Sequence, residues 1–407
     1  MKNSILKLGA KYMAIGGLLA MCSCSSELEK DLPQAKPISR QFAANTLTIT
    51  AGMDLAGING ILRQAQSGDV IEVEGGVYAI TGKLELKDGI TLKKQAGAVP
   101  VFSARSKTDE MLEQDWNTGN NNVIIQGIIF HNIRFKIENA DGISFNDCIF
   151  DHGVRKAGTD KKETNDAYIQ IVGSKNMKVE SCVFKRRMNN SGRGIFVKQS
   201  NHTKIIKNTF GDTDATAHFV TAINDNSNGT LIEGNTIKRN ASWVKKEETD
   251  HGIYAHSFDG LMIKNNTISG WPANGEGGAV KARNGKNLTI TDNTMNDSGI
   301  ILNVYDNLST KYLKNVLIKD NTITLKSGAM ADNIYSGIGY WKNTSDTSFY
   351  EESIKIEGNT LANGFLNISS SHLNTANFNK NGGGIYNNKA AKFSTPQGIN
   401  TSGNITN

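Results

Sequence analysis

The chain has 407 residues, 38% of them hydrophobic, and it contains 41 Gly but only 5 Pro. This composition is typical of many short strands joined by tight turns, and it predicts an all-β protein. The formal net charge of +6 includes three lysines of an expected leader, Lys2, Lys7 and Lys11, and 6 − 3 leaves +3 on the mature chain. So small a charge, spread along the chain, argues against nucleic acid as the partner.

The first residues have the pattern of a secretory leader. The three lysines precede the apolar run Met13–Met21, and Cys22 and Cys24 follow directly. This arrangement resembles a bacterial lipoprotein signal, which predicts a signal peptide over residues 1–23 and a lipid anchor on Cys24, because Ser23 is a normal small residue before the cleavage site. Cys22 is the alternative anchor, although Met21 is unusual at that place.

An acidic stretch over residues 27–31 follows the expected anchor. It is similar to the surface-export signals of Bacteroidetes-type lipoproteins, and a solvated linker is the simpler interpretation. No later apolar run of the sequence is long enough to cross a membrane. We therefore expect an outer-membrane lipoprotein of the cell envelope, with a polar tether over residues 24–45, that reaches the cell surface if the acidic stretch is an export signal.

The folded part is predicted to begin with a helical cap. Residues 55–66 place Ile58 and Leu62 at helical spacing, and the strand Val70–Val73 follows. A short amphipathic helix here covers the apolar interior and the strand edges of the first coil of a solenoid. Residues 102–121 are polar and irregular, and they predict a loop.

From residue 143 an octapeptide with alternating apolar residues recurs, as in LMIKNNTI at Leu261–Ile268 and LTITDNTM at Leu288–Met295. The sixth residues of its copies are Cys148, Cys182, Asn208, Asn235, Asn266, Asn293, Asn321 and Asn359, which lie 26 to 38 residues apart. Such a period is typical of one coil of a parallel β-helix, in which inward asparagines hydrogen-bond in a ladder. The sequence therefore predicts a single-stranded right-handed parallel β-helix, a pectate-lyase-like solenoid, as one domain over residues 46–407, with about ten coils to near residue 390.

Cys148 and Cys182 replace Asn in neighbouring coils, so we expect them side by side inside the solenoid. Two buried thiols that pack as small apolar residues are the preferred interpretation, and a strained disulfide between stacked strands is the alternative. The sequence has no CxxC and no Cys/His pair with the spacing of a zinc site.

One strand of each coil is predicted to expose a polar face. Gly252–His256 and Gly278–Arg283 alternate small apolar with large polar residues, which is typical of a half-buried strand. Equivalent positions in the other coils lie the same number of residues before each ladder residue, if no gaps are allowed. On this basis the side chains of Ile223 and Asp225 are also predicted to face outward. The outward residues of interest, which we call the basic strip, are Arg134, Lys136, Tyr168, Gln170, Lys198, Tyr254, His256, Lys281, Arg283, Asn303 and Tyr305.

The basic strip fits an extended polyanion, and uronate polysaccharides carry a carboxylate on each sugar. Cleavage by β-elimination needs a donor that neutralises the carboxylate, a base that removes the C5 proton and an acid for the leaving oxygen. We expect Arg283 or a bound cation to neutralise, Lys281 to remove the proton, and Tyr254 or His256 to donate one. The Arg283 cation favours a deprotonated Lys281 through like-charge repulsion. The expected substrate-binding residues are Arg134, Lys136, Lys198, Asn303 and Tyr305.

The stretch NGEGGAVK at Asn274–Lys281, followed by NLTITDNTMNDSGIIL, resembles the catalytic coil of the chondroitinase B and alginate lyase family, polysaccharide lyase family 6. In that family a Glu precedes the catalytic Lys by five residues, as Glu276 precedes Lys281 here. The resemblance implies a parallel β-helix lyase with Lys281 as the C5 base and Glu276 as a calcium ligand. Asn274 stands where the family usually has a second acidic ligand, so the implied Ca²⁺ ligands are Glu276 and Asn274. We expect no other cofactor.

The Arg-His pair that this family carries in the following coil is missing, because Asn303 and Val304 stand there. Arg283, two residues after Lys281 on the same face, is the expected substitute. We therefore predict a lipid-anchored, monomeric polysaccharide lyase, a carbon–oxygen lyase, whose partner is an acidic polysaccharide of the alginate or glycosaminoglycan type.

Three other functions stay open from the sequence. C5 epimerisation shares the proton abstraction, and Tyr254 or His256 would return the proton from the other face. Glycoside hydrolysis needs paired carboxylates across a cleft, for which Asp225, Asp250 and Glu276 are the candidates. The third is a surface lipoprotein that binds glycan without cleaving it, which the missing Arg-His pair favours.

Overall fold

The computed structural model describes residues 44–104, 111–117, 120–154, 167–185, 187–188, 192–211, 219–239, 251–271, 278–326, 336–368 and 371–407. The expected signal peptide, the anchor Cys24 and the tether up to residue 43 lie outside these ranges, and so do Asp250, Asn274 and Glu276. Within these ranges, no helix is both long and apolar enough to span a membrane.

Short strands occur throughout these ranges, because apolar side chains alternate with polar ones for only a few residues at a time. The N-terminal part contains β1 (Thr46–Ile49), α1 (Leu55–Gln64), β2 (Val70–Val73), β3 (Gly76–Ala79), β4 (Thr91–Lys94), β5 (Pro100–Ser103), β6 (Leu112–Asn117), β7 (Ile124–Gln126), β8 (Ile129–His131), β9 (Ile133–Glu138), β10 (Ser144–Asn146), β11 (Ile149–Asp151) and β12 (Gly153–Val154). The middle part contains β13 (Ala167–Val172), β14 (Lys178–Glu180), β15 (Val183–Phe184), β16 (Arg187–Met188), β17 (Arg193–Asn201), β18 (Lys204–Ile206), β19 (Thr209–Phe210), β20 (Thr221–Asn228), β21 (Leu231–Glu233), β22 (Thr236–Lys238), β23 (His251–Asp259), β24 (Met262–Lys264) and β25 (Thr267–Ser269). The C-terminal part contains β26 (Gly278–Thr291), β27 (Thr294–Asn296), β28 (Ile300–Val304), β29 (Tyr312–Lys319), β30 (Thr322–Thr324), β31 (Gly337–Lys342), β32 (Tyr350–Glu357), β33 (Thr360–Ile368), α2 (Thr375–Phe378), a 3-10 helix (Lys380–Gly382), β34 (Gly384–Tyr386), β35 (Lys389–Ser394), β36 (Thr401–Ser402) and β37 (Ile405–Thr406).

The strands pair in parallel with their equivalents one coil away, which produces three long sheets, and β12 and β16 form a separate two-stranded pair. The front sheet contains β6, β9, β13, β17, β20, β23, the first part of β26, β28, β31 and the end of β33. The second sheet runs from β1 through β10, β14 and β18 to β36, and the third sheet runs from β3 through β8, β11 and β15 to β37. The predicted fold, an all-β right-handed parallel β-helix, is confirmed.

The predicted asparagine ladder runs inside the β-helix, at the corner between the second and third sheets. The backbone N–H of each member donates to the side-chain Oδ1 of the next, as from Asn235 to Asn266 and from Asn266 to Asn293, both at 2.9 Å. The ladder continues past its predicted end at Asn359 to Asn388 and then to Asn404, at 2.9 and 3.0 Å. The β-helix therefore has more coils than the sequence repeat predicts.

Cys148 and Cys182 occupy the first two ladder positions, as predicted. Both are buried free thiols, and the backbone N–H of Cys182 donates to Asn208 Oδ1 at 2.9 Å. Burial raises the pKa of the Cys182 thiol well above its usual value. The preferred interpretation of two apolar-packed thiols is thus confirmed.

The N-terminal cap is also confirmed. Asp54 precedes α1, and its Oδ1 accepts a hydrogen bond from the backbone N–H of Gly57 at 2.8 Å, which satisfies one free donor of the first turn. Ile58 and Leu62 are fully buried against the first coil. The helix ends at Gln64, two residues earlier than predicted.

The loop predicted over residues 102–121 is wrong where β6 pairs with β9. Gln114 and Trp116 point into the core there, and the polar Gln114 hides the strand alternation. Its burial is balanced by two hydrogen bonds, because Oε1 accepts from the backbone N–H of Leu84 at 2.8 Å and Nε2 donates to Gly82 O at 3.1 Å.

Candidate active site

The outward side chains of the front sheet form two parallel columns, because the strands pair in register and alternate residues face the same way. The first column contains Lys136, Gln170, Phe196, Asn224, Tyr254, Lys281, Ile301 and Gly339. The second column contains Glu138, Val172, Lys198, Asn226, His256, Arg283, Asn303 and Trp341. The four predicted catalytic residues are therefore neighbours on two adjacent strands, β23 and β26.

The outward placement of Ile223 and Asp225 is wrong. Asp225 pairs with Val197 and Ala255, and all three face the core. The register shifts between Asp225 and Asn228, because β20 has one residue fewer at this corner than β17 or β23. A slip of one residue moves a side chain to the other face of a strand, so gap-free counting fails in this coil.

Tyr168 also does not belong to the basic strip. Its side chain is fully buried, and its ring lies 5.8 Å from the ring of Phe150 and 6.2 Å from that of Phe184. Its hydroxyl oxygen accepts a hydrogen bond from the backbone N–H of Gly153 at 2.8 Å. The strand alternation predicts an outward side chain, but the ring instead packs beside the core aromatic residues of the third sheet.

Arg283 bridges Tyr254 on β23 and Asn307, which follows the front-sheet strand β28. Its Nη1 donates to the Tyr254 hydroxyl oxygen at 2.7 Å, and its Nη2 donates to Asn307 Oδ1 at 2.7 Å. The guanidinium lies over the Tyr305 ring, with 3.9 Å from Cζ to the ring centroid, and the Lys281 Nζ lies 5.8 Å from the same centroid. The side chains of Lys281 and Arg283 thus lie over one aromatic ring, which attracts the positive charge of the guanidinium.

Asn284 fixes Tyr305 from behind. Its Oδ1 accepts from the backbone N–H of Tyr305 at 2.8 Å, and its Nδ2 donates to the carbonyl oxygens of Tyr305 at 2.8 Å and Thr310 at 2.6 Å. Asn284 is fully buried with a φ of 35°, a positive value that asparagine tolerates better than most residues. The Tyr305 ring is further held by an edge-to-face contact with Trp341, with the centroids 5.5 Å apart.

His256 is largely buried beside these groups. Burial is the main cause that lowers its pKa to about 4, and the nearby positive charges of Arg283, Arg193 and Lys198 lower it further. The imidazole is therefore neutral at physiological pH. Its Nδ1 has no hydrogen-bond partner among the described residues.

Two further residues join the site that sequence reasoning missed. His251 lies at the start of β23 with its ring 5.5 Å from the Tyr254 ring, and the Tyr254 ring in turn lies 5.5 Å from His256. Arg193 opens β17, is almost fully buried and lies over Phe196 at 5.5 Å. Both precede the alternating part of their strands, where the number of residues from one coil to the next varies, so the repeat carries no signal for them.

The remaining members of the basic strip differ in how much charge they offer. Arg134 forms an ion pair with Glu113, and Lys136 with Glu138 at 3.1 Å, a contact that raises the pKa of Lys136. Five strand steps of about 4.8 Å put Lys136 roughly 24 Å from Lys281. These two cations therefore lie far from the four clustered residues and are partly neutralised.

Lys198 and Asn303 lie closer, in the column of Arg283. Lys198 is exposed and forms no ion pair with a carboxylate in the described part of the chain. Asn303 is only 1% exposed, and its Nδ2 donates to the carbonyl oxygen of Trp341 at 3.4 Å. Trp341 itself is 39% exposed and offers an aromatic face at the end of the column.

Known proteins match this chain in structure. The surface protein and adhesin PfbA of Streptococcus pneumoniae superposes with a TM-score of 0.63 and 15% identity, over 90% of this chain and 100% of that one. A PL6 alginate lyase in complex with a trisaccharide superposes with a TM-score of 0.53 and 14% identity, over 89% of this chain and 84% of that one. This chain shares its fold with polysaccharide lyase family 6. The Yersinia enterocolitica family 28 exopolygalacturonase superposes with a TM-score of 0.50 and 11% identity, over 89% of this chain and 78% of that one.

The resemblance to polysaccharide lyase family 6 is thus confirmed at the level of the fold. No family model matches the chain, and no curated protein matches its sequence. Adhesin, lyase and hydrolase share the architecture at 11 to 15% identity, so the fold alone does not select a reaction. The side chains of the front sheet have to do so.

Proposed function

We propose that the protein is a polysaccharide lyase that cleaves a uronate-containing acidic polysaccharide, of the alginate or glycosaminoglycan type, by β-elimination. The observation that carries this proposal is that Lys281 and Arg283 both lie over the Tyr305 ring, and that Arg283 donates a 2.7 Å hydrogen bond to the Tyr254 hydroxyl oxygen. This arrangement combines a base, a cation and an acid on two adjacent strands, which are the three parts that elimination needs.

In the proposed reaction the Lys281 amine takes the C5 proton of the uronate. The electron pair of that C–H bond forms the C4=C5 double bond while the bond from C4 to the glycosidic oxygen breaks. Tyr254 gives its hydroxyl proton to the departing oxygen. The positive charge of Arg283 neutralises the uronate carboxylate through N–H groups that Tyr254 and Asn307 leave open, since a guanidinium has five donors.

Tyr254 is a better acid than His256 in this arrangement. An imidazole whose pKa is about 4 carries no extra proton to donate at neutral pH. Arg283 donates a hydrogen bond to the Tyr254 oxygen, which stabilises the phenolate that remains after proton transfer. A neutral His256 is instead the alternative to Lys281 as base, and the variants Lys281→Ala and His256→Gln separate these two roles.

Calcium binding and membrane anchoring are proposed from the sequence alone. Glu276 and Asn274 would hold a Ca²⁺ ion through oxygen ligands, and the ion would add positive charge beside the uronate carboxylate. Cys24 would carry the lipid that fixes the protein to the outer membrane. A chelator that leaves turnover unchanged would speak against the ion, and a Cys24→Ser variant that stays in the membrane fraction would speak against the anchor.

The test of the catalytic roles compares Lys281→Ala with Lys314→Ala. Lys314 lies over the ring of Tyr312 on the second sheet, with Nζ 5.4 Å from the centroid, so it matches the setting of Lys281 on a different sheet. We expect Lys281→Ala to lose roughly 10²- to 10⁴-fold in kcat with binding retained, because it removes a general base. Lys314→Ala should keep full turnover. Full activity in Lys281→Ala combined with a comparable loss in His256→Gln would transfer the role of base to His256.

A glycan-binding protein without catalysis is the second candidate. It is favoured by the 2.7 Å contacts that occupy Arg283 and by the PfbA adhesin, which has the same fold. Glycoside hydrolysis is less favoured, because Asp225, one of its three candidate carboxylates, faces the core. Retained binding of a uronate polymer without formation of an ultraviolet-absorbing product would select the adhesin-like function.

A further inference from the structure

A second cluster of reactive side chains lies on the third sheet, outside the proposed active site. His131 ends β8 and pairs with Asp151 at the end of β11, because the coil between them is only 20 residues long and Phe130 pairs with Phe150. His152 follows directly. The first strand of the front sheet after His152 is β13. It lies four strand steps, or roughly 19 Å, from β26, so the cluster is separate from the proposed lyase residues.

The three side chains converge. The backbone N–H of His152 donates to Asp151 Oδ1 at 2.7 Å, which leaves Oδ2 directed at the imidazole, 3.7 Å from His152 Nε2. A φ of 55° at His152 turns the chain sharply, and its ring lies perpendicular to that of His131 with the centroids 4.6 Å apart. All three residues are half-buried, and one donor atom of each lies within 4.8 Å of the other two.

We propose that His131, Asp151 and His152 bind a zinc ion or a similar first-row divalent metal. Two imidazoles and one carboxylate are a donor set that suits zinc, whereas calcium and magnesium prefer oxygen donors alone. Three donors at the corners of a triangle with 4.8 Å sides lie about 2.8 Å from its centre, and zinc ligands lie about 2.1 Å from the ion. Shifts of less than about an ångström, within reach of side-chain rotation, therefore close the site.

The metal would connect two adjacent coils, because His131 belongs to one coil and Asp151 with His152 to the next. Such a link holds the corner in register where the third sheet ends and the chain turns toward the front sheet. Binding should consequently raise the thermal midpoint of the folded protein, since a ligand that binds only the folded state stabilises it.

The experiment uses the full chain, purified without a polyhistidine tag and treated with a chelator before dialysis. Isothermal titration with Zn²⁺ should give one ion per chain, and Ca²⁺ should not compete. Co²⁺ in place of Zn²⁺ should give the visible absorption bands of a low-symmetry site with nitrogen ligands. His131→Gln and Asp151→Asn should each weaken zinc binding by at least about tenfold, since each removes one of three ligands.

His202→Asn is the matched control. His202 is an exposed histidine on another corner with a φ of 56°, like that of His152, and asparagine tolerates this backbone. It should bind zinc as the wild type does. The metal-free variants should keep the wild-type far-ultraviolet circular dichroism spectrum, which separates loss of a ligand from loss of the fold.

Three results would overturn the proposal. One is no saturable zinc binding by the wild type. Another is wild-type affinity in both His131→Gln and Asp151→Asn, which would identify an adventitious ion elsewhere. The third is a combination of two observations: Asp151→Asn unfolds at a lower temperature than the wild type, and zinc does not raise the thermal midpoint of the wild type. The cluster would then act only as an ion pair.

Discussion

Asp225→Asn should stabilise the protein relative to the wild type, and this gain should be larger at neutral and alkaline pH than at acid pH. The Asp225 carboxyl is fully buried in the core beneath the front sheet. Its Oδ1 accepts hydrogen bonds from Ser227 Oγ at 2.5 Å and Thr230 Oγ1 at 2.9 Å, whereas Oδ2 has no partner in the described part of the chain. Burial raises the pKa of Asp225 from 3.8 to about 6, and the hydrogen bonds from Ser227 and Thr230 oppose this rise only in part.

The size of the effect follows from that shift. The difference of 6 − 3.8, about 2.2 pH units, corresponds to about 3 kcal/mol at roughly 1.36 kcal/mol per unit. The folded state binds the proton more tightly, so the contribution of Asp225 to the free energy of unfolding is fully present below pH 3.8. It is lost as the pH rises through about 6. About 2 kcal/mol of the loss falls between pH 4.5 and 8.

The assay is urea-induced unfolding at a series of pH values, followed by circular dichroism and tryptophan fluorescence. Asparagine keeps the shape but has no charge to bury, so the difference between variant and wild type should grow by about 2 kcal/mol from pH 4.5 to 8. A constant offset from its buried amide cancels in that comparison. Asp292→Asn, an exposed position with a φ of 56°, is the control and should show no such trend. A difference for Asp225→Asn that does not change with pH would refute the reasoning.

Four further predictions follow from the front sheet and the core. Binding of the proposed polyanion should weaken steeply with salt, and Lys198→Ala should reduce both the affinity and the salt dependence; equal affinity for a neutral glucan would contradict this. Tyr254→Phe should lower kcat by roughly 10²-fold or more and leave KM nearly unchanged, because it removes only the acid, so an unchanged kcat would exclude that role. Nuclear magnetic resonance titration of His256 should give a midpoint near 4, and a midpoint near 6.5 would show a more exposed imidazole than the structure has. Asn266→Ala should cost about 3 kcal/mol or more in unfolding experiments, because it leaves several buried ladder groups without partners, whereas the exposed Asn228→Ala should cost little.

The fold could be predicted because its two signals are periodic and local. Apolar residues alternate within each octapeptide, and the sixth residue returns once per coil, so the ladder from Cys148 to Asn359 follows from the sequence alone. The last two members, Asn388 and Asn404, lack apolar flanks of the same form and were missed. They appear only once the hydrogen bonds from Asn359 onward are known.

The candidate site could be predicted in those coils in which the number of residues between the front-sheet strand and the ladder asparagine is constant. Tyr254, His256, Lys281 and Arg283 lie in such coils, and the structure brings them together. Asp225 lies in a coil whose corner is one residue shorter, so counting placed it on the wrong face. No count of residues reveals that the guanidinium of Arg283 reaches Tyr254, since this contact depends on side-chain conformations.

The residues that sequence reasoning missed lie at corners. Arg193 and His251 precede the alternating part of their strands, where the number of residues from one coil to the next varies. Asn284 follows the alternating part of its strand, and its partners Tyr305 and Thr310 belong to the next coil. His131 and Asp151 belong to a short coil of the third sheet, 20 residues apart, and only the pairing of β8 with β11 makes them neighbours. Local spacing carries no signal for such contacts between coils.

The most direct test of the proposed function is the ultraviolet absorbance of the product. Full-length protein is incubated with alginate, with chondroitin or dermatan sulfate, with pectate and with a neutral glucan, because only elimination creates an absorbing C4=C5 double bond. We predict that absorbance rises with at least one of the uronate polymers and not with the glucan, and that Lys281→Ala abolishes nearly all of the rise. Chains that shorten without absorbance, uronates that change only their stereochemistry, or polymers that stay bound and intact would each contradict β-elimination.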